Sequence, residues 1–307
     1  MTSMIRTTNL TKIYKGTEVV SNINMTVKKG EIYGFLGPNG SGKTTVMRMI
    51  TNLSKPSSGE LVVCGQKVTP KSYELLKRMG SIIEYPVFYD NLTARENLDL
   101  HCEYIGYYNK NAINSALDMV KLENFEGKLV KDFSLGMRQR LGIARAIITK
   151  PELLVLDEPI NGLDPAGIKE LRSLFLMLSK DYGMTLLISS HILAEIEQIA
   201  DTIGVIHEGK LIKEVSMENI RLENAAYIEL QTDNSRKAVY VINNLLHISN
   251  FKVLDDNTIR IYESTKSQGE ISKALIMNDV LVNQINKKDH SLEDYFLKII
   301  NGGGISA

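Results

Sequence analysis

The octet Gly37-Pro38-Asn39-Gly40-Ser41-Gly42-Lys43-Thr44 constrains this chain more than any other stretch of it. It fits G-x-x-x-x-G-K-[ST] in full. A short strand-like run (residues 31–36) precedes it, and Val46, Met49, Ile50 and Leu53 follow at helical spacing, predicting a helix over 43–53. Strand, glycine loop and helix in that order make a cradle for an anion of several charges. Gly40 and Gly42 let consecutive backbone N–H groups turn inward. The helix aims the positive end of its dipole at the same point. Lys43 supplies a full charge for the β- and γ-phosphates, and Thr44, with Thr45 beside it, brings a hydroxyl to Mg²⁺. A glycine turn with a chance Gly-Lys-Thr would lack the flanking strand and helix, so the motif predicts a bound nucleoside triphosphate.

Hydrolysis of such a ligand also needs a metal anchor and a group that orients water. Residues 153–156, Leu-Leu-Val-Leu, read as a strand buried on both faces, and Asp157 and Glu158 follow at its end. Asp157 would hold Mg²⁺ directly or through a water, and Glu158, pointing elsewhere, would be the general base. A strand ending in a solvated acidic turn is the plainer reading of these two residues taken alone. His191 ends a second buried-strand candidate, 184–190, where ligands sit in open α/β sheets. A surface histidine at a strand–helix junction would read the same way.

All seven prolines lie at or before residue 165, and residues 222–301 hold one glycine and no proline. This break places a boundary near 216–224 and predicts two domains, 1–221 and 222–307. The first alternates strand-like and helix-like stretches, an α/β pattern. Thr93 and Glu96 have capping-box spacing and open a helix through residue 104. Asp164-Pro165 reads as N-cap then N1, with Ile168, Leu171, Phe175 and Leu178 on one face after it. Residues 203–215 read as a hairpin about Glu208-Gly209. The second domain reads strand 227–231, helix 235–246, strands 251–254 and 258–262, helix 267–277, strand 280–285 and a final helix 292–300. That βαββαβ order is the ferredoxin-like pattern, an α+β fold.

Charge is balanced, 36 basic against 36 acidic groups, and it stays near balance within each part, which argues against a nucleic-acid partner. No apolar run reaches the ~18 residues of a membrane span. The first six residues lack the apolar core of a signal peptide. Two cysteines make neither a disulfide framework nor a zinc site, so a cytosolic location is expected.

The phosphate loop, Phe133-Ser134-Leu135-Gly136-Met137-Arg138-Gln139-Arg140, Leu156-Asp157-Glu158-Pro159, Gly162-Leu163-Asp164 and His191 occur in one order. Together they resemble the nucleotide-binding subunit of an ATP-binding-cassette (ABC) transporter, over roughly residues 4–221. The resemblance implies a P-loop ATPase cassette with a RecA-like core, an antiparallel β subdomain and a helical subdomain at about 85–148. It also implies ATP and Mg²⁺ as cofactors. Tyr14 matches the aromatic that stacks on adenine, although a turn tyrosine is the simpler reading. Ser134 and Gly136 match the signature motif, which in this family contacts the γ-phosphate held by the other subunit. Ser134 also reads as an N-cap, so the following helix would point its positive end at a phosphate. Asp164 matches the loop linking the two sites, and His191 the switch histidine. The implied partners are a second copy of the chain, bound head to tail, and a separate integral membrane permease. The chain would then lie peripherally on the cytoplasmic face of the membrane.

Two positions depart from the commonest pattern. Leu135 stands where the first signature glycine usually lies, and Glu84 where most relatives have glutamine. A carboxylate at 84 would strengthen metal contact but repel the γ-phosphate at close range; an ordinary surface Glu before a loop is the alternative. The aromatic segment 84–89 would either meet the permease or pack within the helical subdomain. Glu84, with residues 88–93 and 96–98, narrows the likeness to bacitracin exporters and to ATPases of lantibiotic self-immunity. The bacitracin-export ATPases share the length, the Phe-Ser-Leu-Gly-Met signature and an ending like Ser291-Leu292-Glu293-Asp294-Tyr295-Phe296. Exporters of sodium, polysaccharide or lipid share most of these features. A permease-free ATPase acting on ribosomes or DNA fits less well, because the chain has one phosphate loop and no sustained heptads between Lys43 and Ser134. Residues 222–307 give no catalytic lead and are expected to serve dimerisation or regulation.

Overall fold

Three antiparallel strands open the chain in the computed structural model: β1 (Ser3–Tyr14), β2 (Thr17–Ile23) and β3 (Thr26–Lys28). The structure describes residues 2–109, 111–125, 127–223, 227–262 and 266–288. The apolar strand β4 (Ile32–Leu36), buried at every position, leads through the phosphate loop into α1 (Lys43–Ile50). That helix stops three residues short of the expected 53, because Thr51 caps it and Asn52 turns left-handed (φ 59°). Strands β5 (Ser58–Val63) and β6 (Gln66–Lys67) return to the antiparallel sheet, which runs β2-β1-β5-β6 with β3 also on β1. A short α2 (Tyr73–Leu76) leads to β7 (Met79–Ile82).

Three helices follow: α3 (Ala94–Ile105), α4 (Ala112–Met119) and α5 (Leu135–Ile147). The Thr93 hydroxyl accepts the Glu96 N–H at 3.3 Å, and the Glu96 carboxylate accepts the Thr93 N–H at 2.7 Å, a complete capping box. Next come β8 (Leu153–Leu156), α6 (Pro165–Lys180), β9 (Thr185–Ser190), α7 (Leu193–Ile196), β10 (Thr202–His207) and β11 (Lys210–Ser216). Asp164 caps α6 by accepting the Gly167 N–H at 3.2 Å, with Pro165 in the first turn. Glu208 and Gly209 both take positive φ in the β10–β11 turn, as a two-residue hairpin requires.

These strands form a six-stranded sheet in the order β11-β10-β4-β9-β8-β7, parallel except for the edge strand β11. Strands β4, β8 and β9 are buried throughout, which explains their unbroken apolar runs. Tyr33, Phe35, Val155 and Leu187 of this sheet share one core with Val46, Met47, Met49 and Ile50 of α1 and with Ile5, Leu10 and Val63 of the antiparallel sheet. The phosphate-loop helix is therefore clamped between two sheets, so the loop it terminates is held from both sides.

The structure divides into two units, Met1–Met217 and Glu218–Ala307, four residues before the compositional boundary and at the start of α8 (Met217–Glu223). The second unit contains β12 (Tyr227–Thr232), α9 (Ser235–Tyr240), β13 (Phe251–Val253), β14 (Thr258–Tyr262), α10 (Gln268–Met277) and β15 (Val282–Lys288). Its sheet runs β13-β14-β12-β15, antiparallel throughout, so the first strand is inserted between the third and fourth. This is the ferredoxin-like split βαβ arrangement. Ile228, Leu230, Ile259 and Ile261 pack against Ala238, Ile271 and Leu275 of the helices. The helix expected over 235–246 is α-helical only to Tyr240; Val241–Leu245 continue it as one wide π-helical turn. The helix expected over 292–300 lies outside the described residues.

Candidate active site

In the six-stranded sheet, β4, β9, β8 and β7 are consecutive neighbours, and their C-terminal ends lie along one edge. That edge receives the phosphate loop from β4, Ser190-His191 from β9, Asp157-Glu158 from β8 and Glu84 from β7. Groups 32 to 154 residues apart in the chain meet there because parallel strands present their ends on the same side.

The loop is built for close backbone approach. Gly42 has φ 108°, a conformation open to glycine, and no side chain caps α1 behind it. A Cβ at Gly37 would stand 2.2 Å from the carbonyl oxygen of Ile206. Pro38, Asn39 and Gly40 are exposed at the tip, while the Ser41 hydroxyl is buried without a hydrogen-bond partner. Lys43, only 5% exposed, donates from Nζ to the carbonyls of Gly37 (2.6 Å) and Pro38 (3.2 Å). Thr45 is half-buried in the first turn of α1.

Two polar chains run from this loop to the neighbouring strands. In one, Lys43 Nζ lies 3.2 Å from Glu158 Oε1, and Glu158 Oε2 lies 2.8 Å from His191 Nδ1. A carboxylate accepts only, so the Nδ1 of His191 carries the proton of that bond. In the other, Thr44 Oγ1 donates to Asp157 Oδ2 at 2.7 Å, and Ser189 Oγ donates to Asp157 Oδ1 at 2.6 Å. Asp157 and Glu158 are thus adjacent in sequence but engaged with different partners. Sequence reasoning passed over Ser189; its one signal was a hydroxyl pair, Ser189-Ser190, closing a strand whose middle, Leu186-Leu187-Ile188, is apolar.

The remaining candidates lie at three other places. Tyr14 ends β1, with its hydroxyl 3.1 Å from Ser54 Oγ and the Lys12 ammonium 4.7 Å from its ring centroid. The hairpin it begins packs against the loop, since a Cβ at Gly42 would stand 3.1 Å from the Val19 carbonyl oxygen and 3.4 Å from Val20 Cγ2 of β2. Glu84, itself left-handed (φ 64°), directs its carboxylate to Arg48 at 2.5 Å, one helical turn beyond Thr44. Arg48 too was missed, because nothing local marks it. Ser134, Gly136 and Asp164 do not join the phosphate loop but line a cleft of about 340 Å³ with Leu163, Arg140 and Glu170. Ser134 caps α5 through the Met137 N–H, and Leu135, half exposed, lies against Gly162.

A glycine loop on an uncapped helix, with a buried lysine and two strand-end carboxylates behind it, defines a P-loop nucleoside triphosphatase. The sequence profile of the ABC transporter family matches residues 20–161. An uncharacterized ABC transporter ATP-binding protein, YcbN of Bacillus subtilis (strain 168), is 64% identical over the whole of both chains. The bacitracin transport ATP-binding protein BcrA of Bacillus licheniformis is 48% identical, covering 99% of this chain and all of the relative. Among solved structures, a post-hydrolysis dimer of the ATP-binding cassette MJ0796 with ADP and Pi superposes with a TM-score of 0.63 at 27% identity, covering 70% of this chain and 99% of that one. The chain belongs to the ATP-binding subunits of ABC transporters. It is an ATPase, and among its described residues no helix is long and apolar enough to cross a membrane.

Proposed function

We propose that two copies of this chain hydrolyse Mg²⁺-ATP between them and drive a separate permease that expels a bacitracin-type peptide antibiotic. The observation that carries the chemistry is the unbroken contact from Lys43 through Glu158 to His191 beside the Thr44–Asp157 pair. The residues fit the ligands. The unpartnered Ser41 hydroxyl, the open first turn of α1 and the buried Lys43 ammonium suit a polyphosphate. Thr44 and Asp157 present adjacent oxygens, the donor type that Mg²⁺ takes together with phosphate and water oxygens. Bound there, Mg²⁺ would neutralise charge developing on the phosphate oxygens. Glu158 accepts a proton from the attacking water, and His191 holds Oε2 of that carboxylate so that its other oxygen faces the loop. Tyr14 offers a ring face to the base. The N-terminus of α5 at Ser134 and Gly136, with Asp164 across the same cleft, serves the partner copy's phosphate.

Glu84 is assigned to the metal side of the site, and its pairing with Arg48 modifies what its charge does. The Arg48 guanidinium offsets the repulsion that a carboxylate would exert on a nearby phosphate. The pair is half exposed, so its worth is no more than about 1 kcal/mol. Arg48→Ala is expected to raise the KM for ATP by about two- to fivefold, and adding Glu84→Gln to return it toward the parental value. Steady-state kinetics of the two variants checks this; an unchanged KM in Arg48→Ala removes the charge-offset argument.

The permease side is supported by a groove of about 550 Å³ between the β7 approach and helices α3 and α5, lined by Leu76, Lys77, Met79, His101, Ile105 and Arg145. Burial, with Arg145 nearby, holds the His101 imidazole below its ordinary range, so Lys77 and Arg145 carry the groove's positive charge. Beside it, the segment left open between permease contact and internal packing exposes Tyr85 (82%) and Val87 (77%), joined by Tyr104 (74%). Arg145 near the end of α5 donates to the Val87 carbonyl at 2.8 Å and lies over the Phe88 ring. A 13-residue helix therefore links this surface to Ser134.

The cargo reading rests on the full-length likeness to a bacitracin transport subunit, which spans both units of the chain. Deleting the gene in its host is expected to increase bacitracin sensitivity, and the double variant Tyr85→Ser/Val87→Ser to do the same while retaining ATPase activity in the isolated chain. Unchanged bacitracin sensitivity with altered lantibiotic or sodium tolerance would transfer the proposal to that cargo. The second unit is assigned to dimerisation or regulation.

A further inference from the structure

Ser189 is fully buried at the end of β9, and its single hydroxyl is used twice. It donates to Asp157 Oδ1 at 2.6 Å and accepts the backbone N–H of Glu158 at 2.8 Å. Glu158 has φ 47°, the left-handed region that a residue with a Cβ enters at a cost. The preceding amide, of Asp157, is bonded instead to the Ile82 carbonyl of β7 at 2.9 Å. The chain therefore leaves β8 with one amide tied to the strand on one side and the next tied to the strand on the other. That twist sends two adjacent carboxylates in different directions, Asp157 to Thr44 and Glu158 to Lys43 and His191.

We infer that Ser189 is a positioning residue for hydrolysis: its hydroxyl fixes the left-handed turn at Glu158 and one oxygen of Asp157, and so aims both acids. This rests on the reading of Glu158 as general base. Without the hydroxyl, the part-buried Glu158 N–H loses its acceptor and the buried Asp157 Oδ1 loses its donor. The turn is then free to relax, and the carboxylate moves away from water without any loss of phosphate contacts. A displacement of the order of 1 Å at a reacting group costs about 100-fold in rate, so the effect falls on kcat rather than on nucleotide affinity.

The test uses the full-length chain with Ser189→Ala and a matched control, Thr185→Val. Thr185 is an equally buried hydroxyl at the far end of the same strand, where it accepts the Gly30 N–H at 2.9 Å. Ser189→Ala is expected to lower kcat by about 10- to 100-fold. KM for ATP, and binding of a fluorescent ATP analogue in EDTA, should stay within about twofold of the parental values. Thr185→Val keeps the parental kcat. Ser189→Cys, which preserves volume with only a weak donor, repeats the test where the alanine variant melts early, and should again lose kcat. Parental kcat in the Ala or Cys variant overturns the inference, as does a loss that appears wholly in KM or equally in Thr185→Val. Glu158→Gln run in parallel separates the two ideas. A parental rate there removes the general-base reading itself, whereas a slow Glu158→Gln beside an unimpaired Ser189→Ala removes only the role of Ser189.

Discussion

Replacing Glu158 by Gln is expected to lower steady-state ATP hydrolysis by about 10²- to 10⁴-fold, leave ATP binding intact and accumulate a nucleotide-bound dimer. The size of the effect follows from what the substitution removes. Gln keeps the length and planarity of the side chain, and its carbonyl still accepts from His191 Nδ1, now 2.8 Å from Glu158 Oε2. Its amide is not a base at neutral pH, so the proton of the attacking water has no acceptor. Binding survives because Glu158 contributes no attraction to phosphate; it competes for the Lys43 ammonium, 3.2 Å away. Relieved of that competition, Lys43 is held only by the carbonyls of Gly37 and Pro38 and meets the triphosphate unopposed. Once closed, a dimer that needs hydrolysis to reopen stays closed. Phosphate release and size-exclusion chromatography with ATP measure both halves, and hydrolysis at the parental rate would refute the assignment.

What could be read in the sequence was what local physics determines. The phosphate loop is local: its glycines, lysine and helix start lie within eight residues. The caps at Thr93 and Asp164 are local too, each a hydrogen bond across three residues. The fully buried strands announced themselves because a strand covered on both faces cannot alternate, and the second unit's βαββαβ order emerged from short runs separated by turns. The π-helical turn at Val241–Leu245 did not, since its apolar residues continue the helical spacing that precedes them. Contacts made by sheet order were equally hidden. Ser189 meets Glu158 across 31 residues, and Arg48 meets Glu84 across 36, only because β9 lies beside β8 and β7 delivers Glu84 next to α1. No spacing rule encodes such pairs. For Tyr14, Ser134, Gly136 and Asp164 the nucleotide-binding role came from resemblance alone, although Ser134 and Asp164 were also legible as helix caps, and the structure sets them apart from the Lys43 cluster: Tyr14 on the β1–β2 hairpin, the others on a cleft of their own.

Lys43→Ala is expected to weaken ATP binding by at least about 10-fold and to reduce hydrolysis by about 10²- to 10³-fold, and the reason is partly the anion it leaves behind. The ammonium is nearly buried and faces three oxygens, the carbonyls of Gly37 and Pro38 and the carboxylate of Glu158. Removing it withdraws a charge-assisted donor from the β- and γ-phosphates, worth about 1.5–3 kcal/mol. It also exposes the triphosphate to Glu158, whose negative charge was offset at 3.2 Å. These two losses are separable. Combining Lys43→Ala with Glu158→Gln removes the repulsion but not the missing donor, so the double variant should bind ATP more tightly than Lys43→Ala alone while remaining weaker than the parent. If the two substitutions acted independently, the binding-neutral Glu158→Gln would leave the double variant no tighter than Lys43→Ala. Calorimetric or fluorescence titration with ATP decides between them. If the double variant binds no better than Lys43→Ala, Glu158 does not reach the phosphate site electrostatically and the Lys43–Glu158 contact is incidental to nucleotide affinity.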